Sequence, residues 1–68
     1  MIVEVIAVGT ELLIGQITNT NAAFIGARLA DEGFDAHYQV TVGDNLGRLV
    51  SAIDGALKRA DAVILTGG

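Results

Sequence analysis

A chain of 68 residues buries only about 60% of the surface its unfolded form exposes, so a core built from it alone is marginal and a truncated portion of a larger domain is expected. Eight acidic residues against four basic ones, a net charge of −4, exclude an extended nucleic-acid surface, which needs clustered Lys and Arg, but not small anions, which backbone N–H groups can hold. With no cysteine and a single histidine, disulfides and thiolate or His-cluster zinc sites are excluded, and any metal must be held by oxygen.

Ile2 to Val8 is apolar except for Glu4 and rich in Val and Ile, the pattern of a central strand covered on both faces. This opening lacks the basic start of a signal peptide, and no apolar run reaches the roughly 20 residues that span a bilayer, so a cytoplasmic protein without membrane contact is expected. After a long connection, a helix is predicted from Asn19 or Thr20 to about Gly33, with Ala22, Ile25, Gly26 and Leu29 along one stripe and Gly33 as its stop. Ala36, Tyr38, Val40 and Val42 then alternate with His37, Gln39 and Thr41, a period of two that marks a strand with one polar face, near an edge. His37 is expected to face solvent there.

Leu46, Leu49, Val50, Ile53, Leu57 and Ala60 fall at helical spacing, with Asp54 and Lys58 as an i,i+4 pair and Lys58 and Arg59 in the last turn. Ala62 to Leu65 reads as a short buried strand ending in Thr66-Gly67-Gly68. The order is β-α-β-α-β, and right-handed crossovers make the sheet parallel. With the polar second strand outside, the spatial order is second, first, third, and the two helices cover opposite faces. The chain then reverses direction between the first and third strands, and ligands of open α/β sheets bind at such a point, outside the carboxyl ends of the strands. A site is therefore expected between Gly9-Thr10-Glu11 and Thr66-Gly67-Gly68.

Neither standard nucleotide loop is present, because the only lysine, Lys58, lies in a predicted helix and no G-x-G-x-x-G follows the first strand. The connection from Gly9 to Asn21 is long, as functional loops often are. Within it Leu12, Leu13 and Ile14 are expected to be buried packing, Thr10 and Glu11 to meet a ligand or metal, and Asn19 and Asn21 to cap a helix or bind. Asp44 ends Val42-Gly43-Asp44-Asn45 and, taken alone, is an N-cap for the second helix. Thr66-Gly67-Gly68 reads either as a tight turn or as a close backbone approach to a phosphate, and the phosphate reading is favoured.

Gly9-Thr10-Glu11-Leu12-Leu13, Gly15-Gln16, Asn19-Thr20-Asn21, Val42-Gly43-Asp44-Asn45 and Thr66-Gly67-Gly68 together resemble the start of CinA-like proteins. The wider group is the molybdopterin-binding MoaB/MogA superfamily, and the resemblance covers the whole chain. It implies a three-layer α/β/α domain with a mainly parallel sheet, of which these residues are an incomplete portion, about 100 residues short of a usual domain. In that family the glycine pair continues into a Gly-Pro-Thr segment and an acidic pair that this sequence does not reach. By resemblance, Asp44 matches an acidic position of the superfamily site, Thr66 to Gly68 its phosphate-binding turn, and Thr10 and Glu11 its first-strand loop. CinA-like domains are associated with metal-dependent hydrolysis of ADP-ribose, sometimes ahead of a nicotinamide-mononucleotide amidase domain, whereas MoaB/MogA relatives adenylylate molybdopterin.

The implied partner is thus a small phosphorylated ligand, ADP-ribose or molybdopterin, and the implied assembly a homo-oligomer. Asp44 is the expected catalytic residue. Gly9, Thr10, Glu11, Asn19, Asn21, Thr66, Gly67 and Gly68 are expected to bind substrate or phosphate, and Asp44 with Glu11 to hold Mg²⁺ or another divalent ion. The rival from another class is a non-catalytic binding or scaffold domain that holds a ligand with the same turn.

Overall fold

Residues 1–16 and 18–67 are described by the computed structural model of the chain. Ile2–Val8 forms β1, the middle of a three-stranded parallel sheet, with β2 (Asp35–Val42) on one side and β3 (Ala62–Gly67) on the other. The order β2-β1-β3 is the expected one. Because both faces of β1 are covered, Val3, Val5, Ile6 and Ala7 are buried, and each buried Val or Ile contributes roughly 1.5–3 kcal/mol relative to exposure.

Two longer helices, α2 (Thr20–Asp31) and α3 (Leu46–Leu57), complete the layers, with α1, the short helix Thr10–Leu13, between β1 and α2. Gln39 donates from its Nε2 to the Ala22 carbonyl of α2 at 3.3 Å, while its neighbour Tyr38 receives the Arg59 guanidinium from the turn after α3 at 4.6 Å. Successive strand residues point to opposite faces, so the two helices lie on opposite sides of the sheet. Gly33, at φ 83°, ends α2 as expected, with Gly33 N–H donating to Ala30 O and Phe34 N–H to Leu29 O. That paired pattern is a Schellman motif, which needs a left-handed residue at this point.

Several details differ from the expectation, each for a local reason. Within the connection Leu12 is buried, but Leu13 and Ile14 are exposed, because a single helical turn can turn only one of three successive side chains onto the sheet. β3 runs on through Thr66 and Gly67, which pair with Ala7 and Val8 of β1, so Gly67 is extended strand and not a tight turn. As an outer strand of these three, β3 is only partly covered, and Leu65 is exposed. The last helix stops at Leu57, short of Ala60, with Lys58 as its C-cap. Lys58 still pairs with Asp54 at 3.2 Å. His37 is exposed, as expected. Among the described residues no helix is long and apolar enough to cross a membrane.

The early stop of α3 turns Arg59 back over the sheet. Its Nε and Nη2 donate to the two oxygens of Glu4 at 2.7 and 2.8 Å, and Glu4 is wholly buried. A carboxylate in the central strand is tolerable only with such a partner. Asp61 accepts from Ile2 N–H at 2.8 Å and donates its own N–H to Ile2 O at 2.8 Å, which fixes the start of β3 on β1.

Gly26 of α2 faces Gln39, and a methyl group there would come within 2.6 Å of Gln39 Nε2. Gly26→Ala gains about 1 kcal/mol of helix propensity but displaces an amide whose hydrogen bond is worth about 0.5–1.5 kcal/mol. The two effects nearly cancel, so the single substitution is expected to leave denaturant stability close to wild type. In a Gln39→Ala background the propensity gain should appear alone, as a stabilisation of about 1 kcal/mol. Equal effects of Gly26→Ala in the two backgrounds would show that the contact carries no coupling.

Candidate functional site

In a parallel sheet all strands end on one edge, and here that edge brings together the residues that follow β1 and β2 and those that end β3. Gly9 N–H donates to Val42 O at 2.9 Å, which joins the ends of β1 and β2. One residue further on, Thr10 N–H donates to Asp44 Oδ2 at 3.3 Å, and Asp44 N–H donates to Thr10 Oγ1 at 3.1 Å. The two loops are therefore tied by a reciprocal pair across 34 positions of sequence. Gly43, between them, is buried, and a methyl group on it would lie 3.4 Å from both Thr10 Oγ1 and Leu13 Cδ2. The glycine permits this close approach. Sequence reasoning misses Gly43, although its place between a strand end and Asp44 is a usable signal.

Asp44 is not the cap of α3. That role belongs to Asn45, whose Oδ1 accepts from Arg48 N–H at 2.9 Å. The side chain of Asp44 is already turned towards Thr10, and the extended backbone at Asn45 (φ −147°, ψ 119°) is the conformation a cap residue adopts. Glu11 follows Thr10 in α1, and its carboxylate sits over Gly9, where a methyl group would come within 2.6 Å of Glu11 Oε1. Gly9, Thr10, Glu11 and Asp44 thus form one connected group.

On the other side of the switch point, Asn21 Nδ2 donates to Gly67 O at 3.3 Å, and Thr66 Oγ1 reaches the same carbonyl at 3.3 Å. Gly67 needs neither a positive φ nor the space of a missing side chain, since no described atom lies within 4 Å of a methyl group placed there. Asn19 caps α2, its Oδ1 accepting from Ala22 N–H at 3.1 Å. Of the two roles open to Asn19 and Asn21, the first shows capping and the second a link to β3. Gly68 lies outside the described residues.

The edge is acidic. Asp44 is exposed and Glu11 half-buried, and among the described residues neither forms an ion pair with Lys or Arg. Among those residues, no three His, Cys, Asp or Glu side chains converge there as a metal cage.

Residues 4–68 match the family described as "Probable molybdopterin binding domain". The chain is 62% identical over its whole length to a protein of Caldicellulosiruptor saccharolyticus, and 58% identical over 65 residues, 96% of the chain, to one of Lactiplantibacillus plantarum, both named for competence-damage induction. It spans about a sixth of the length of those relatives, 16% of each. A solved structure of the protein CinA, of unknown function, from Thermoplasma acidophilum is similar with a TM-score of 0.92 and 38% identity, over 96% of this chain and 40% of that one.

Proposed function

Because the chain belongs to the molybdopterin-binding domain family, in its CinA-like branch, we propose that its strand-end edge binds a phosphorylated nucleotide and that, in a protein of its relatives' length, it hydrolyses the pyrophosphate of ADP-ribose with a divalent ion. The observation that carries this reading is the grouping of Thr10, Glu11 and Asp44 at the end of β1, beside the side-chain-free end of β3 at Gly67. Two carboxylates without basic partners would repel a pyrophosphate, and a divalent cation between them removes that conflict. Mg²⁺ commonly uses one or two carboxylates, retained waters and substrate phosphates in place of an all-protein cage. In this reading Asp44 and Glu11 would hold such an ion.

When bound, such an ion supplies an activated water and neutralises phosphate charge. The chain's own residues do the rest. Asp44 and Glu11 set the charge of the edge, Thr10 ties the two loops, and Asn21 holds the Gly67 carbonyl so that the end of β3 stays fixed while a phosphate approaches its backbone. Hydrolysis converts ADP-ribose and water into AMP and ribose 5-phosphate. Following those products by mass, with Mg²⁺ and again with a chelator, tests the reading. The family description supports a second one, molybdopterin binding; with the adenylylation that the MoaB/MogA resemblance implies, it predicts turnover of ATP with molybdopterin and none of ADP-ribose. Binding of either ligand without turnover would mark a non-catalytic domain.

Gly67→Val probes the phosphate side. A valine suits an extended strand, and no described atom lies within 4 Å of the first carbon of its side chain, so the fold should persist. Its branched side chain would fill the space through which a phosphate reaches the backbone. Calorimetric titration should show strongly weakened ADP-ribose binding with unchanged melting. Wild-type affinity would remove Gly67 from the site.

A further inference from the structure

We infer that the outer edge of β3 and the neighbouring flank of α3 form one docking surface, and that in a protein of its relatives' length the next helix and strand of the same polypeptide occupy it, the helix beside α3 and the strand beside β3. An apolar patch lies open on this side of the sheet. In α3, Leu46, Val50 and Leu57 are each more than half exposed. With half-buried Ile53 they recur at intervals of four, three and four, the spacing of a seam that packs against another helix. Arg59 shows which way the seam faces. A methyl group on Gly55 would lie 3.9 Å from Arg59 Nη1, and that guanidinium lies over Tyr38 of β2, so the Gly55 flank looks towards β2. Leu46, Val50 and Leu57 are about half a turn round the helix from Gly55 and look towards β3. Leu65 continues the patch. It pairs with Ile6 as Tyr38 pairs with Glu4, which puts it on the α3 face of the sheet, and it too is more than half exposed.

The two edges of the sheet differ in the same sense. β2 carries Asp35, His37 and Gln39, and its pairing with β1 shifts register between Ile2 and Glu4, features that blunt an edge against further pairing. β3 has no charged residue and, among the described residues, pairs on one side only. That is the composition of an inner strand. The handedness of crossovers supplies the occupant. The step from β2 to β3 runs through α3, and a further right-handed step in the same direction, to a parallel strand outside β3, places its helix on the α3 face, against the open seam. The relatives have the length for it, since this chain covers only 40% of the CinA chain that it matches with a TM-score of 0.92.

The chain has no cysteine, so single-cysteine variants report this surface in a protein of its relatives' length, with any cysteine outside these residues replaced by serine. Val50→Cys and Leu65→Cys should react with a thiol reagent about a hundredfold more slowly than Ser51→Cys, because reaction at a covered site waits on local opening, whereas Ser51 is on the exposed face of α3. Hydrogen exchange of the unaltered protein reads the same edge should a cysteine variant melt abnormally. Every β3 amide from Val63 to Thr66 should be protected, while an open edge leaves alternate ones free. Fast reaction at both cysteines with free exchange at alternate β3 amides would leave the surface unoccupied and overturn the inference. Protection of only the α3 seam or only the β3 edge would break the single surface, which also overturns it. Protection that vanishes on dilution to the monomer would make the occupant a second copy of the chain and overturn its assignment to the same polypeptide.

Discussion

Arg59→Leu is expected to destabilise the protein severely. The substitution removes the only partner that the described residues give the Glu4 carboxylate, which is wholly buried in the central strand. Stranding a buried charge of this kind costs about 3–5 kcal/mol, a large fraction of the roughly 5–15 kcal/mol that separates folded from unfolded domains. Glu4 sits on the central strand, flanked by β2 and β3. The double change Glu4→Met with Arg59→Leu should recover most of the loss, since an apolar side chain of similar volume then replaces the buried carboxylate and no charge is left unpaired. Chemical denaturation of the single and double variants measures this. If Arg59→Leu melts like wild type, the pair has no structural role.

The same pair predicts a pH response. The hydrogen-bonded Glu4 carboxylate raises the Arg59 guanidinium above its already high ordinary pKa, the largest of the causes, with burial opposing it. A group whose folded pKa is raised contributes stability that is fully present below its unfolded pKa and is lost as pH rises through the folded one. For an arginine that window lies in strong alkali. Stability attributable to Arg59 should therefore be flat across the physiological range.

The order and direction of the strands are readable in the sequence because each strand carries its own signal: continuous apolar residues in β1, alternation in β2, and a glycine stop before β2. Other features are hidden for physical reasons. Four residues cannot display a helical period, so α1 is not separable from its loop. Glu4 stands out as the one polar residue of β1, but its partner lies 55 positions away, and periodicity does not say which of the three arginines turns back. At the site, position relative to the switch point is legible and side-chain direction is not. Asp44 and Asn45 are both good capping residues, and only the bond from Thr10 N–H to Asp44 decides that Asn45 caps.

Asp44→Asn is the second change of large expected effect, and the structure makes it a cleaner probe than the sequence alone does. Since Asn45 caps α3, altering Asp44 does not touch the helix start. The asparagine carbonyl can still accept from Thr10 N–H, and the backbone N–H of residue 44 can still donate to Thr10 Oγ1, so the tie between the loops survives. What disappears is the charge. A carboxylate offers a hard cation a full negative charge and an amide only a dipole, so the proposed metal-dependent turnover of ADP-ribose should fall by orders of magnitude while melting is unchanged. If charge is the cause, raising the Mg²⁺ concentration should restore part of the activity, because weaker binding is offset by mass action. Glu11→Gln should show a similar loss if Glu11 shares the ion. Full turnover in Asp44→Asn at limiting Mg²⁺ would leave Asp44 as a tie between two loops and nothing more.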